Sequence, residues 1–420
     1  MANAYKYENM SSEEVLNKLY QKNYINDEYD GFLTTLINDN IVMDANLNFW
    51  MEAFTIDPSE YQINLGDTKS NPAYTVREVT HRVVPMAEAM APLSETTQLD
   101  SEGFEERTGS IYQYGKGLYE TSMSKLELEQ RLAAMSIGDR NLMMGFVKGV
   151  SDLVKSHNSN LSNMSAQVLS KGGAYGNAGR KGMSGVIANA PAYLPAANFL
   201  KAGAAVWSNS TGASTDPDIP SIIASKLDKF KKDNNIDDNV PYMMDVPYDM
   251  VMNVFLKNYY FLQEVNRYIR LYVPDKVIVV TDGKSGVDTS LVTWEQLVAY
   301  SQSSISKIPV IHVVKESQLS QSIKTLTTVK GWKDGAVVLR PIGMAGVIVH
   351  SNVADVELLN REANKIIDFN IAKYSGFLYV INKISPKGGY KQYNTDVLGR
   401  YAPVLNVFNE MAIIDTTTAD

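Results

Sequence analysis

The chain has 420 residues, 45% of them hydrophobic and 20% charged, an ordinary globular composition, with a formal net charge of −8 and a pI near 5.2. It contains no cysteine, which excludes disulfides, thiol nucleophiles and thiolate metal sites. The acidic balance argues against a chain dedicated to gripping nucleic acid, although an acidic chain can still enclose it.

Residues 1–70 are polar and aromatic-rich, and their first stretch lacks the apolar core of a signal peptide. Ser11-Ser12-Glu13-Glu14 before Val15, Leu16, Leu19 and Tyr20 predicts a capped short helix. Trp50, Phe54 and Tyr61 follow in a loop-like run, so this region reads as an arm that packs on other elements. Two β-rich runs come next, 73–85 and 108–123, with polar and apolar residues on each face, and neither has the pattern of a core strand. Between them lies a tip, residues 86–107. From Val83 to Glu106 the acids are Glu88, Glu95, Asp100, Glu102, Glu105 and Glu106, with no Lys or Arg among them. An isolated two-stranded ribbon is marginal in water, so a long acidic hairpin needs a surface to lie on.

Residues 124–171 predict helix. The stripe Leu142, Phe146, Val150, Leu153, His157, Leu161, Met164 and Val168 advances mostly by steps of three and four, with Asp139 as candidate cap and Gly172-Gly173 as stop. A helix over 139–171 would be about 50 Å long at about 1.5 Å per residue. Its polar face is rich in Ser and Asn, poor helix formers, so tertiary packing must hold it. Residues 172–220 are rich in Gly, Ala, Asn and Pro and read as irregular chain with a basic pair at Arg180-Lys181. The longest uncharged stretch, 182–200, contains Pro191 and Pro195 and does not read as a membrane span. Asp218-Ile219-Pro220 opens a helix with Ile222, Ile223, Leu227 and Phe230 inward and Lys226, Lys229, Lys231 and Lys232 outward. Pro247 opens another. From 271 the pattern is α/β: a strand at 277–280, a helix at 294–301, a strand at 309–314, a helical stretch at 315–330 and two strands over 336–349 joined by Pro341-Ile342-Gly343. A helix at 353–369 and final strands at 377–384 and 405–414 complete it.

The motifs for chemistry are missing. The four histidines, His81, His157, His312 and His350, have no metal-ligand spacing and read as hydrogen-bonded structural residues. The glycines from Gly109 to Gly117 and the Gly283-Lys284-Ser285 triplet both fail as phosphate loops. Gly176, Gly179, Gly182 and Gly185 lack the preceding strand of a dinucleotide fingerprint, and no Gly-x-Ser-x-Gly elbow occurs. The reading is therefore no catalytic residue, no cofactor and no metal. One signal is left: the acidic tip, with Glu102, Glu105 and Glu106 beside Arg107, is opposite in sign to the face carrying Lys226, Lys229, Lys231 and Lys232, or to Arg180-Lys181. In a symmetric assembly an arm of one subunit can reach such a face on the next.

The order of these parts resembles the major capsid proteins of tailed bacteriophages with the Hong Kong 97 capsid fold, of the podovirus kind. The segments VREVTHRVVPMAEAMAPLSE (76–95) and GSIYQYGKGLYETS (109–122) are similar to that family's extended loop. VPYMMDVPYDMVMNVFLKN (240–258) is similar to the entry to its axial domain, GAVVLRPIGMAGVIVHS (335–351) to the hairpin that follows, and VLNVFNEMAIIDT (404–416) to its closing strand. The resemblance implies an α+β fold with an N-terminal arm (1–72), an extended loop and entry to a spine helix (73–135), a peripheral domain with that helix (136–225), an axial domain (226–330) and closing peripheral strands (331–420). It implies a shell of hexamers and pentamers around a double-stranded DNA genome, in a virion assembled in the host cytoplasm. Its partners would be further copies of the chain, a portal, and scaffold or decoration proteins, with weak nonspecific contact to DNA and none to membrane. Only residues 1–72 precede the loop, so a separate scaffold protein, or none, is expected. The competing readings are a nanocompartment shell of the same fold that packs enzymes, and an α/β enzyme built on 271–384.

Overall fold

A computed structural model of the chain describes residues 49–61, 73–79, 104–119, 140–173, 194–207, 210–272, 292–315, 318–322, 325–328, 331–351, 368–374, 378–387, 390–407 and 409–419. In chain order these hold α1 (Phe49–Ala53), β1 (Phe54–Tyr61), β2 (Ala73–Val79), β3 (Phe104–Ser110), β4 (Tyr112–Tyr119) and the long α2 (Arg140–Lys171). Next come β5 (Phe199–Lys201), α3 (Ile219–Asp233), β6 (Tyr242–Pro247), α4 (Tyr248–Asn253), α5 (Tyr259–Tyr272), α6 (Trp294–Ser301) and β7 (Val310–Val314). Then follow β8 (Gln318–Ser322), β9 (Thr325–Thr328), β10 (Ala336–Pro341), β11 (Gly346–Ser351), β12 (Asp368–Tyr374), β13 (Leu378–Lys387), β14 (Tyr390–Leu405) and β15 (Ala412–Asp415).

The fold is α+β, built on two sheets. The six-stranded sheet runs β1-β11-β14-β13-β12, with β4 also on β14; the five-stranded sheet runs β5-β15-β10-β6-β7. The middle strand β10 shows why the layers stack as they do. Ala336 and Val338 belong to the apolar cluster that includes α2 and the six-stranded sheet. Val337 and Leu339 belong to a second cluster with α3, α4, α5 and α6. A strand alternates its side chains between faces, so a continuous apolar run such as AVVL is buried on both. β15 repeats the pattern, with Ile413 in the first cluster and Ala412 and Ile414 in the second.

The helix starts follow local chemistry. Asp218 caps α3 by accepting from the Ser221 amide at 3.2 Å, with proline in the first turn. Thr293 and Gln296 form a reciprocal capping box on α6. Asn258 caps α5, its Oδ1 accepting from the amides of Tyr260 and Phe261 at 3.2 Å each.

α2 spans 32 residues, about 48 Å. It stops where Gly173 donates to the Val168 carbonyl at 2.7 Å and Gly172 to that of Leu169, with both glycines at positive φ. This is a Schellman ending, and it matches the stop expected from Gly172-Gly173. Leu153, His157, Leu161, Met164 and Val168 of the expected stripe are buried. So, however, are Asn158, Asn160, Ser162, Asn163, Ser165, Gln167 and Ser170, because α2 lies against β14 and β4 and also against α1, β8 and β10. The face that reads as polar is enclosed.

Several expectations are corrected. The 108–123 run is divided at buried Ile111: β3 pairs with β2 in a two-stranded ribbon, while β4 leaves it and joins the six-stranded sheet. The loop-like run after Trp50 is a helix and an edge strand, with β1 parallel to β11. The stretch expected as helical at 315–330 contains a second two-stranded ribbon, β8–β9, in keeping with the β-branched threonines of TLTT. β10 and β11 do not pair as a hairpin; each enters a different sheet, and the Pro341 to Ala345 link crosses between them. The long polar strand β14 was not expected, and the last expected strand is the end of β14 followed by a separate β15. The helix expected at 11–20, the acidic tip up to Gly103, residues 124–139 of the expected long helix with Asp139, Arg180-Lys181, His81, the strand at 277–280 and residues 353–367 of the helix expected at 353–369 lie outside the described residues; Asp368 and Phe369, the end of that expected helix, instead open β12.

A side chain at Gly172 would be strained by its φ of +72° and would place Cβ 2.7 Å from Leu194 Cβ and 2.9 Å from Phe199 Cζ. Gly172→Ala should therefore cost at least ~1 kcal/mol, read as a fall in the urea midpoint at unchanged slope.

Candidate functional site

The described fold concentrates ionisable chemistry on the inner face of the five-stranded sheet. β6, β10 and β7 lie side by side, and alternation brings Asp245, Arg340 and His312 to one face. Arg340 and Asp245 expose 1% and 0% of their side chains. The Arg340 Nε donates to Asp245 Oδ2 at 2.6 Å and its Nη2 to Oδ1 at 3.3 Å, the two-pronged geometry that suits a guanidinium and a carboxylate. Arg340 Nη1 donates to the carbonyl of Gly343 in the link between the sheets. On the other side His312 Nδ1 bonds to Asp245 Oδ1 at 2.7 Å, and His312 Nε2 bonds to Glu52 of α1. Phe49, one turn back on α1, stacks on the imidazole with centroids 5.7 Å apart and meets Trp332 edge-on.

Charge states follow from this packing. Burial pushes the Asp245 carboxyl up, but the Arg340 charge and the His312 hydrogen bond outweigh it and hold Asp245 below its ordinary value. Burial likewise disfavours the His312 imidazolium, but the hydrogen bonds and charges of Asp245 and Glu52 raise it to about 9. At neutral pH Asp245 is therefore ionised and His312 protonated, an anion and a cation side by side in the row. Donors face acceptors throughout, so the arrangement is suited to joining α1, the inter-sheet link and three strands. No nucleophile sits against a base in it. Among the described residues no group of three or more His, Cys, Asp or Glu is arranged to hold a metal ion, and no helix is long and apolar enough to cross a membrane.

The other described histidines are hydrogen-bonded, as their sequence setting implies. His157 joins α2 to β14 through Tyr401 Oη at 3.0 Å and the Val397 carbonyl at 2.9 Å. His350 Nε2 bonds to the Asp57 carbonyl at 2.9 Å. The central ion pair was not singled out from sequence, yet a signal existed. Asp245 stands within YMMDVP and Arg340 within AVVLRP, apolar strand runs in which a charge must find a partner.

The charged residues expected to meet across subunits lie in two places. Glu105, Glu106 and Arg107 are on β3, where the register sets them opposite Glu78, Arg77 and Val76; Glu102 lies outside the described residues. Lys226, Lys229 and Lys232 are on α3 in the other part of the fold. Lys229 is exposed, and Lys232 pairs with Asp228 one turn back at 2.8 Å. Lys231 corrects the expected outward face. It is 8% exposed; its Nζ donates to the carbonyls of Asp238 and Val240 at 3.0 and 2.7 Å and lies 4.9 Å from the Tyr242 ring centroid. Its ammonium closes the turn after α3 and is not offered to a partner.

Arg340→Met would leave the Asp245 carboxylate buried without its guanidinium. It should cost ~3–5 kcal/mol in denaturant unfolding, whereas Lys229→Met should change stability by less than ~0.5 kcal/mol.

No protein-family model matches the chain, and no curated protein matches it. Among solved structures it is similar to the capsid of the cyanophage P-SCSP1u, at 11% identity over 89% of this chain and 88% of that one, with a TM-score of 0.37. It is similar to the putative capsid protein of a prophage of E. coli CFT073, at 11% identity over 92% of this chain and 98% of that one, TM-score 0.43. It is also similar to the capsid of Ralstonia phage GP4, at 11% identity over 89% of this chain and 92% of that one, TM-score 0.42.

Proposed function

We propose that this chain is a major capsid protein of the Hong Kong 97 type, which self-assembles through hexamers and pentamers into an icosahedral shell around a phage double-stranded DNA genome. The observation that carries the reading is the β2–β3 ribbon, two strands of seven residues that pair with each other and join neither large sheet. Such a ribbon is marginal by itself in water, and a neighbouring copy of the chain provides a surface for it. The order arm, ribbon, long helix and two sheets fits the same use, as does the buried Asp245–Arg340 pair, which braces the subunit.

In this reading residues 1–72 are the arm, 73–135 the extended loop and entry to the spine, 136–225 and 331–420 the peripheral domain, and 226–330 the axial domain, to whose sheet β5, β10 and β15 from the flanking segments also contribute. The spine helix sets the subunit's width. A portal, and scaffold or decoration proteins, complete the particle, which forms in the host cytoplasm. With a net charge of −8, contact with packaged DNA is weak and nonspecific. The chain performs no catalysis. A nanocompartment of the same fold would differ in its contents, protein cargo in place of nucleic acid.

The contacts between subunits include the acids on and beyond β3 and the exposed lysines of α3. Each rim ion pair contributes only ~0–1 kcal/mol, but a shell repeats it at every interface. Lys229→Glu together with Lys232→Glu should leave the subunit folded by circular dichroism and abolish fast-sedimenting particles in velocity ultracentrifugation. Particles formed in normal yield by that double variant would refute the assignment of α3 to the contact.

A further inference from the structure

The row from Arg340 to Glu52 has a closed end and an open one. Asp245 is held inside the sheet from both sides, by Arg340 and by His312. Glu52 exposes 52% of its side chain and reaches the row only from α1, through His312 Nε2. Phe49 on the same short helix covers the flat side of the imidazole. One turn of the arm is thus fastened to β7 by a carboxylate and a ring that both engage a single histidine.

We infer that α1 is a proton-gated latch: while His312 carries its charge, Glu52 and Phe49 clamp the arm to the five-stranded sheet, and when His312 is neutral the clamp lets go. A neutral imidazole keeps one N–H. Asp245 has no water to turn to, so the remaining proton serves its oxygen from Nδ1. Nε2 is then an unprotonated acceptor facing the Glu52 carboxylate, and attraction becomes repulsion between lone pairs. The groups that face His312 among the described residues are Glu52 from α1, Asp245 from β6 and, behind Asp245, Arg340 from β10. Its neighbours on the same face of β7, Val310 and Val314, carry no charge, and Lys315 is turned onto the Trp294 ring at 5.6 Å.

The pH window follows from the direction of the shift. Burial opposes the charged form, but the acids raise His312 from 6.5 to about 9. A group raised on folding stabilises fully below its unfolded value, near 6.5 for His, and that contribution is lost as pH climbs through the folded value. Asp245, lowered on folding, keeps its contribution across this window. Only the share that Glu52 contributes acts on the arm. Each pKa unit of that share changes the docking equilibrium roughly tenfold.

Trp50 lies on α1 at 2% exposure, and Trp207 lies in the other cluster at 0%. The full chain labelled with fluorotryptophan therefore reports both sites in one fluorine NMR spectrum, with the Trp50 line assigned from Trp50→Phe. Between pH 6 and 10 the Trp50 line should move to a solvent-exposed shift with a midpoint near 9, while the Trp207 line stays. Glu52→Gln, a change at a half-exposed position, should lower that midpoint by about one unit or remove the transition. His312→Gln should remove it altogether. A Trp50 line that does not move would overturn the latch. So would an unchanged midpoint in Glu52→Gln, or Trp50 and Trp207 lines moving together as in global unfolding.

Discussion

The ion pair between Arg340 and Asp245 is the contact that the rest of the described fold depends on. β10 is buried on both faces, and one of those faces carries a guanidinium with 1% exposure. An unpaired charge there would be prohibitive. Pairing it with Asp245 aligns β6 beside β10, and the third nitrogen fixes the Gly343 carbonyl in the link that carries the chain from one sheet to the other. His312 extends the pairing to β7 and α1. A replacement of this row by apolar residues could be equally stable, but it would not specify which strand edges meet or where the arm lies. The pair contributes to orientation at least as much as to stability.

The long helix poses a related problem. Between His157 and Ser170 every side chain except the partly exposed Ser159 is buried, including three asparagines, one glutamine and three serines. Some find partners: Asn160 donates to the Tyr401 hydroxyl at 3.1 Å and Ser170 to the Ala166 carbonyl at 2.7 Å. Asn158, Asn163, Ser165 and Gln167 have side-chain atoms without a protein partner, each a cost of ~1–3 kcal/mol. Weak intrinsic helix formers in an enclosed setting mean that α2 owes its stability to the sheets around it. A helix of this kind is built by its surroundings.

How much of this was legible in the sequence depended on how local each cause is. The end of α2 is written in Gly172-Gly173 and the start of α3 in Asp218-Ile219-Pro220. These are short-range effects and appear where expected. β14 was missed because YKQYNTDVLGRYAPVL has no steady alternation, and its strand character comes from pairing with β13, β4 and β11. The 315–330 stretch fits either period, and its ribbon is set by the pairing of β8 with β9. Spacing alone assigns Lys231 to the outer face of α3, whereas the Asp238 and Val240 carbonyls draw it inward. The Asp245–Arg340 cluster was missed because its members are 95 residues apart. A lone charge in an apolar strand signals a partner but does not say which.

The central claim, that this chain builds a closed shell from copies of itself, is tested most directly by electron microscopy of the purified, unmodified protein, carried to a map that resolves single subunits. The account predicts closed particles of uniform size in which the 73–110 ribbon lies over an adjoining copy and the long helix lies within the shell wall. A uniform small oligomer under all assembly conditions, or a ribbon folded back on its own subunit, would contradict it.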